Sequence, residues 1–85
     1  MPDQPPNPRE IAKRGTEIYD RNYRGEYERK WRGRFAAIDI ESERAYVADF
    51  PEAALKEARE SSPAGVFFLV RIGSAAAFRT SRLVG

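Results

Sequence analysis

Hydrophobic positions three and four residues apart run through the first third of the chain and predict a long helix over residues 9–31. Its apolar face would consist of Ile11, Ala12, Gly15, Ile18, Tyr19 and Tyr23. Asn7 is suited to cap this helix, with Pro8 in the first helical position. Because Gly25 weakens a helix by about 1 kcal/mol relative to alanine, a break into helices 9–23 and 26–31 is the alternative.

Beyond residue 33 the helical spacing gives way to short runs of β-forming residues. Arg34–Ile40 and Ala45–Asp49 flank the turn Glu41–Arg44 and predict a β-hairpin. The first of these strands is apolar on both faces, which is typical of a central strand covered on both sides. Val66–Ile72, composed almost entirely of β-formers, predicts the next strand. Ala76–Thr80 is a candidate fourth strand.

A second, shorter helix is predicted over Pro51–Glu60, between the hairpin and the last strands. Asp49 and Glu52 have the spacing of a capping box, but Phe50 precedes a proline and resists helical geometry, so the helix could begin at Pro51. Its buried stripe would be Ala54, Leu55 and Ala58.

The order of elements predicts an α+β fold. It comprises a long N-terminal helix, a β-hairpin, a short helix and one or two further strands in a small, mainly antiparallel sheet. Residues 1–8 contain four prolines and predict a flexible Pro-rich tail, followed by a single domain over 9–85.

The composition narrows the chemistry. The chain has no cysteine and no histidine, which excludes disulfides and Cys/His metal sites. Serine has no histidine to activate it, and the acidic residues do not have calcium-loop spacing. We therefore expect no catalytic residues, no metal and no cofactor. No apolar run approaches the roughly 18–20 residues of a membrane span, so the expected location is the cytoplasm.

The most distinctive segment is Arg21–Arg34, in which basic and aromatic residues alternate. Residues 9–34 carry nine basic and five acidic side chains. Such a segment could pack its aromatics on the sheet, form a protein interface, or bind nucleic acid by stacking bases and neutralising phosphates. The candidate interaction residues are Tyr19, Tyr23, Arg24, Tyr27, Arg29, Trp31 and Arg32.

Two charged residues lie within the apolar strands. Asp39 belongs to the first strand and Arg71 to the strand Val66–Ile72. A buried carboxylate must be paired or neutralised. The pattern therefore predicts a structural ion pair between Asp39 and Arg71 across the sheet.

Three motifs resemble a family of short bacterial proteins of uncharacterised function. They are Ile11–Tyr19, Gly33–Ser42, and Val70–Gly73 with Ala76–Arg79. In that family a helix precedes a hairpin motif G-K-F-V-A-I-D-x-E-S/T-G, and the chain ends near R-x-G-x-x-A-x-Y-R. The resemblance implies a small partner protein of the antitoxin kind. This chain departs from the motif at Glu43, where the family has a turn glycine, and at Phe78, where it has tyrosine.

The sequence thus predicts a non-catalytic interaction protein, antitoxin-like or a small regulatory partner of another bacterial protein. Its partner would be another protein or a second copy of the chain, with no membrane association. The alternative is a nucleic-acid-binding module that uses residues 21–34.

Overall fold

The computed structural model describes residues 7–73 and has the predicted α+β fold. A helical run over Pro8–Lys30 consists of α1, a π-helical turn and α2. The elements are α1 (Pro8–Ile18), the π turn (Tyr19–Tyr23), α2 (Arg24–Lys30), β1 (Phe35–Asp39), β2 (Ala45–Ala48), α3 (Pro51–Ser61) and β3 (Phe67–Arg71). The proposed strand Ala76–Thr80 and tail residues 1–6 lie outside the described residues.

The start of α1 is fixed by a reciprocal cap. The Glu10 backbone N–H donates to Asn7 Oδ1 at 2.9 Å, and the Asn7 N–H donates to Glu10 Oε1 at 3.4 Å. Pro8 occupies the first helical position, where the missing N–H removes no intrahelical bond. The predicted cap is confirmed. The helix begins at Pro8, one residue before the predicted range 9–31.

The helical run continues through Gly25, so the alternative of a break near that residue is wrong. The irregularity lies earlier, in the π turn, where the Arg24 N–H donates to the Tyr19 carbonyl five residues back. An α-helix has 3.6 residues per turn, so every four-residue step overshoots a full turn by about 40°. The wider π turn takes up one extra residue. It thereby returns Tyr23 to the side of the helix that carries Tyr19.

The sheet is antiparallel with strand order β2-β1-β3, which confirms β1 as the central strand. Side chains alternate between its two faces. One face packs against α1 and the π turn, and the opposite face packs against α3. The buried core on the first face comprises Ile11, Ile18, Tyr19, Ala36, Ile38, Ile40, Phe68, Val70 and Ile72. The buried core on the second comprises Ala37, Ala54, Leu55, Ala58, Phe67 and Leu69.

Helix α1 approaches β3 closely at Gly15. A Cβ at this position would lie 2.3 Å from Cγ of Phe68, far inside van der Waals contact. The ring of Phe68 therefore occupies the space that any side chain at position 15 would need. Glycine is required here for packing, even though it lowers helix propensity.

Helix α3 begins after an extended residue. Phe50 has φ −130° and ψ 152° and gives no side-chain cap. The predicted Asp49–Glu52 capping box is wrong, and the alternative start at Pro51 is confirmed. Asp49 instead lies 3.2 Å from the guanidinium of Arg34. The predicted stripe Ala54, Leu55 and Ala58 is buried and faces the sheet.

Candidate interaction surface

Four aromatic side chains at four-residue spacing form a continuous stack along the π turn and α2. This aromatic stack consists of Tyr19, Tyr23, Tyr27 and Trp31. The rings of Tyr23 and Tyr27 have centroids 5.0 Å apart, and those of Tyr27 and Trp31 are 4.9 Å apart in an edge-to-face arrangement. Tyr19 meets Tyr27 edge-on at 6.5 Å. These separations are favourable for aromatic pairs.

Burial decreases from the first ring to the others. Tyr19 is buried, whereas Tyr23, Tyr27 and Trp31 are half-buried and pack on the edge of the core. Burial raises the pKa of Tyr19, Tyr23 and Tyr27, so these phenols stay neutral at physiological pH. The hydroxyl of Tyr19 is buried without a hydrogen-bond partner among residues 7–73. The stack is therefore both a core element and a partly open apolar strip.

The charged residues beside the stack are largely neutralised within the helix. Arg24 contacts Asp20 at 3.1 Å and Glu28 at 3.2 Å, in two pairs of i,i+4 spacing. Asp20, followed by Glu28, raises the pKa of Arg24. The ammonium of Lys30 lies 2.9 Å from Glu26 and 5.8 Å from the Trp31 ring centroid.

Three exposed arginines of the basic segment make no ion pair within residues 7–73: Arg21, Arg29 and Arg32. Arg32 reaches across to the carbonyl of Gly73 at 3.5 Å. Of the predicted interaction residues, Arg29 and Arg32 are therefore exposed, Arg24 is internally paired, and Tyr19 is in the core.

The π turn is hydrogen-bonded to the hairpin turn through Glu43. The Tyr23 hydroxyl donates to the carbonyl of Glu43 at 2.5 Å, and Asn22 Nδ2 donates to its side chain at 3.4 Å. Glu43 has φ 67°, a left-handed conformation that favours glycine. The chain thus keeps the turn geometry of a glycine while supplying a side chain that reaches the helix.

The predicted ion pair between Asp39 and Arg71 is wrong. The strand register places Arg71 opposite Phe35 and Asp39 opposite Phe67, at the two ends of the β1–β3 pairing. Asp39 is only 2% exposed, and its carboxylate accepts the backbone N–H groups of Glu41 and Ser42 at 2.8 and 3.2 Å. The local turn therefore satisfies the buried charge. An Asp two residues before a polar turn is the sequence signal for this role.

Two exposed features escape the sequence interpretation. Phe50 is 65% exposed although it is a large hydrophobic residue. All four residues of β2 are half-buried, whereas Phe67–Val70 of β3 are buried. The proline after Phe50 favours an extended conformation at Phe50, but it does not predict that the side chain is exposed. The hydrophobic pattern of the strands likewise does not predict which of them is the less buried edge strand.

Residues 7–73 contain no cluster of three acidic side chains placed to hold a metal ion. Within the same range no helix has the length and apolarity needed to cross a bilayer. Comparisons with protein-family models, curated proteins and solved structures find no match to this chain. The resemblance carried by Gly33–Ser42 accordingly stays a prediction.

Proposed function

We propose that this protein is a non-catalytic interaction module that binds another protein through the outer side of the aromatic stack and the adjoining Arg29 and Arg32. The observation that carries the proposal is that Tyr23, Tyr27 and Trp31 form a half-buried aromatic strip on the surface. The charged side chains beside this strip are mostly paired with one another within the helix. Aromatic and arginine side chains that combine an apolar body with a polar tip are enriched at protein interfaces. An antitoxin-like or regulatory role is one form of such binding.

The ion pairs within the helix favour a protein partner over a nucleic acid. Arg24 and Lys30 would have to leave Asp20, Glu28 and Glu26 before they could neutralise phosphates. Nucleic-acid affinity depends on such cations, and each one lost weakens binding. A protein interface can retain the pairs at its rim and use the rings at its centre.

The test is affinity capture with the full chain as bait, followed by identification of the retained molecules. The variant Arg29→Glu/Arg32→Glu alters the proposed surface. Its matched control, Lys56→Glu/Arg59→Glu, makes the same charge change on exposed positions of α3. We expect one protein to be retained by the wild type and by the control, and to be lost from the first variant.

Salt separates the two classes of partner. A phosphate-driven complex weakens steeply between about 50 and 200 mM salt, while an interface with an apolar centre changes little. Retention of nucleic acid at low salt and its loss at high salt would support the alternative function. Equal retention by both variants would contradict the proposed surface.

A further inference from the structure

Both outer edges of the sheet, one on β2 and one on β3, lack a partner strand among residues 7–73, but the two strands differ in the burial of their side chains. β3 is buried on both faces over Phe67–Val70, but every residue of β2 is half-buried. Proteins usually protect a free strand edge with lysine, proline, a bulge or a covering segment. The sequence of β2 is Ala-Tyr-Val-Ala, which contains none of these residues. Its outer edge has no partner strand among residues 7–73.

The hydrogen-bond alternation shows which backbone groups of β2 point outward. The Asp39 N–H donates to the Arg44 carbonyl at 2.8 Å, so these residues form a hydrogen-bonded pair. Antiparallel pairs alternate, and Tyr46 and Ala48 therefore also bond to β1. The N–H and C=O groups of Ala45 and Val47 consequently point away from β1, toward the open edge.

We propose that β2 pairs in antiparallel orientation with β2 of a second copy of this chain. The twofold axis that relates the copies runs midway between the two Tyr46 residues. An axis perpendicular to the sheet keeps each face continuous across the two copies. Ala45 of each copy then lies opposite Val47 of the other. The outward-pointing N–H and C=O groups of these two residues form the hydrogen bonds between the strands. Tyr46 faces its own counterpart as a non-hydrogen-bonded pair. The result is a six-stranded antiparallel sheet.

The surroundings of β2 fit this arrangement. Ala45 and Val47 are partly buried against the core on one face, so this apolar face continues across the two copies. On the other face, Arg44 of one copy comes within reach of the exposed Phe50 of the other, a favourable cation–aromatic contact. Glu43 meets Asp49 at each end, where Arg34 already offsets the Asp49 charge.

The absence of native cysteine permits a direct test of the register by single-cysteine crosslinking. Across a non-hydrogen-bonded antiparallel pair the Cα atoms lie about 4.5 Å apart, within disulfide range. Tyr46→Cys should therefore crosslink under mild oxidation. We expect its rate to exceed that of Lys56→Cys, an exposed control on α3, by about a hundredfold at about 10 µM chain, because pairing raises the local thiol concentration to about 1 mM. Val47→Cys should not crosslink, since its counterpart lies two positions along the strand.

Light scattering on the wild type should give twice the mass of one chain, falling to the monomer on dilution. Val47→Pro removes an outward N–H that the paired strands would use, and proline is tolerated on an edge strand, so this variant should be a folded monomer by circular dichroism and light scattering. A wild type that stays monomeric at millimolar concentration, or equal crosslinking of Tyr46→Cys and Lys56→Cys, would overturn the proposal. Faster crosslinking of Val47→Cys than of Tyr46→Cys would overturn the register. The proposed function fails separately, because a monomer could still retain a different protein through Arg29 and Arg32.

Discussion

The two halves of the helical run belong to one continuous helix but are held in different ways. Helix α1 buries Ile11, Gly15 and Ile18 against the sheet, and its Arg14 guanidinium donates to the Ile40 carbonyl at 2.9 Å. Helix α2 has no fully buried residue. It is held by the aromatic stack on one side and by i,i+4 ion pairs on the other.

This difference separates a half that defines the core from a half whose outer side makes contacts mainly within its own helix. Interdigitation with the sheet leaves α1 little freedom to accept substitutions. The outer side of α2 rests on interactions within its own helix, which are individually weak. Substitutions on the outer side of α2 should therefore leave the core intact, whereas substitutions on the buried side of α1 should not.

The largest effect is expected from Gly15→Ala. The added methyl group would lie 2.3 Å from Cγ and 2.4 Å from Cβ of Phe68, so the helix or the Phe68 side chain would have to shift. Forced overpacking costs about 3 kcal/mol, which exceeds the gain of about 1 kcal/mol in helix propensity. The net loss of about 2 kcal/mol should lower Tm by about 8–16 °C in thermal denaturation. An unchanged Tm would mean that α1 is not seated against β3 as described.

A smaller loss is expected from Asp39→Ala. The change leaves the N–H groups of Glu41 and Ser42 without their side-chain acceptor, at a cost of about 1–2 kcal/mol. Amide hydrogen exchange should accelerate more in α2 than in α1, because the π turn bonds to this hairpin turn through Glu43.

Two control substitutions accompany Asp39→Ala. Asp39→Asn keeps an acceptor oxygen and should cost less than about 0.5 kcal/mol. Arg71→Gln alters an exposed side chain and should be neutral within about 0.5 kcal/mol. If Asp39→Asn and Arg71→Gln were as destabilising as Asp39→Ala in chemical denaturation, an ion pair rather than the turn would account for the buried carboxylate.

Gly25→Ala should change the free energy of unfolding in the opposite direction to Gly15→Ala. No atom beyond the local helix lies within 4 Å of a Cβ built at Gly25. The substitution therefore gains helix propensity without a clash, and we expect the free energy of unfolding to rise by about 1 kcal/mol. Urea denaturation of the two alanine variants in parallel compares the halves directly. A loss of stability at position 25 would show that α2 is as tightly packed as α1.

The smallest effect concerns the ion pair between Glu26 and Lys30. The hydrogen bond from Lys30, together with its charge, lowers the pKa of Glu26 below the ordinary value. The pair therefore stabilises the fold above the unfolded pKa of Glu26, and this contribution is lost as pH falls through the folded pKa. Carboxyl NMR titration should show the lowered pKa, and Lys30→Met should return it to the ordinary range. High salt should diminish the difference, because the pair is exposed.

Local sequence signals predicted much of the fold. The Asn7 cap, the central position of β1 and the stripe on α3 each follow from residue type and period. The register of β1 with β3 does not, because one apolar strand offers several alignments with another. That ambiguity is why Asp39 and Arg71, which share a face of the sheet, were expected to pair although they lie at opposite ends.

For the candidate surface, the sequence predicted the residue types but not which charged side chains are paired. The segment Arg21–Arg34 was marked correctly as basic and aromatic, but the division of its arginines into paired and unpaired depends on i,i+4 geometry and on competition among neighbours. The sequence also placed an irregularity at Gly25 because glycine has low helix propensity. Aromatic packing on the sheet instead placed it at the π turn, where no residue type marks it.

The π turn gives this chain an unusual tolerance of length at one place. Each residue of an α-helix advances by about 100° around the axis, so removal of a residue from α1 or α2 would rotate everything after it by that angle. Removal of exposed Arg21 would instead take out the one extra residue that the π turn accommodates, and the turn would become α-helical. Tyr27 and Trp31 would then keep their orientation toward the sheet. In evolutionary terms, a one-codon gap would be milder here than elsewhere in the helical run.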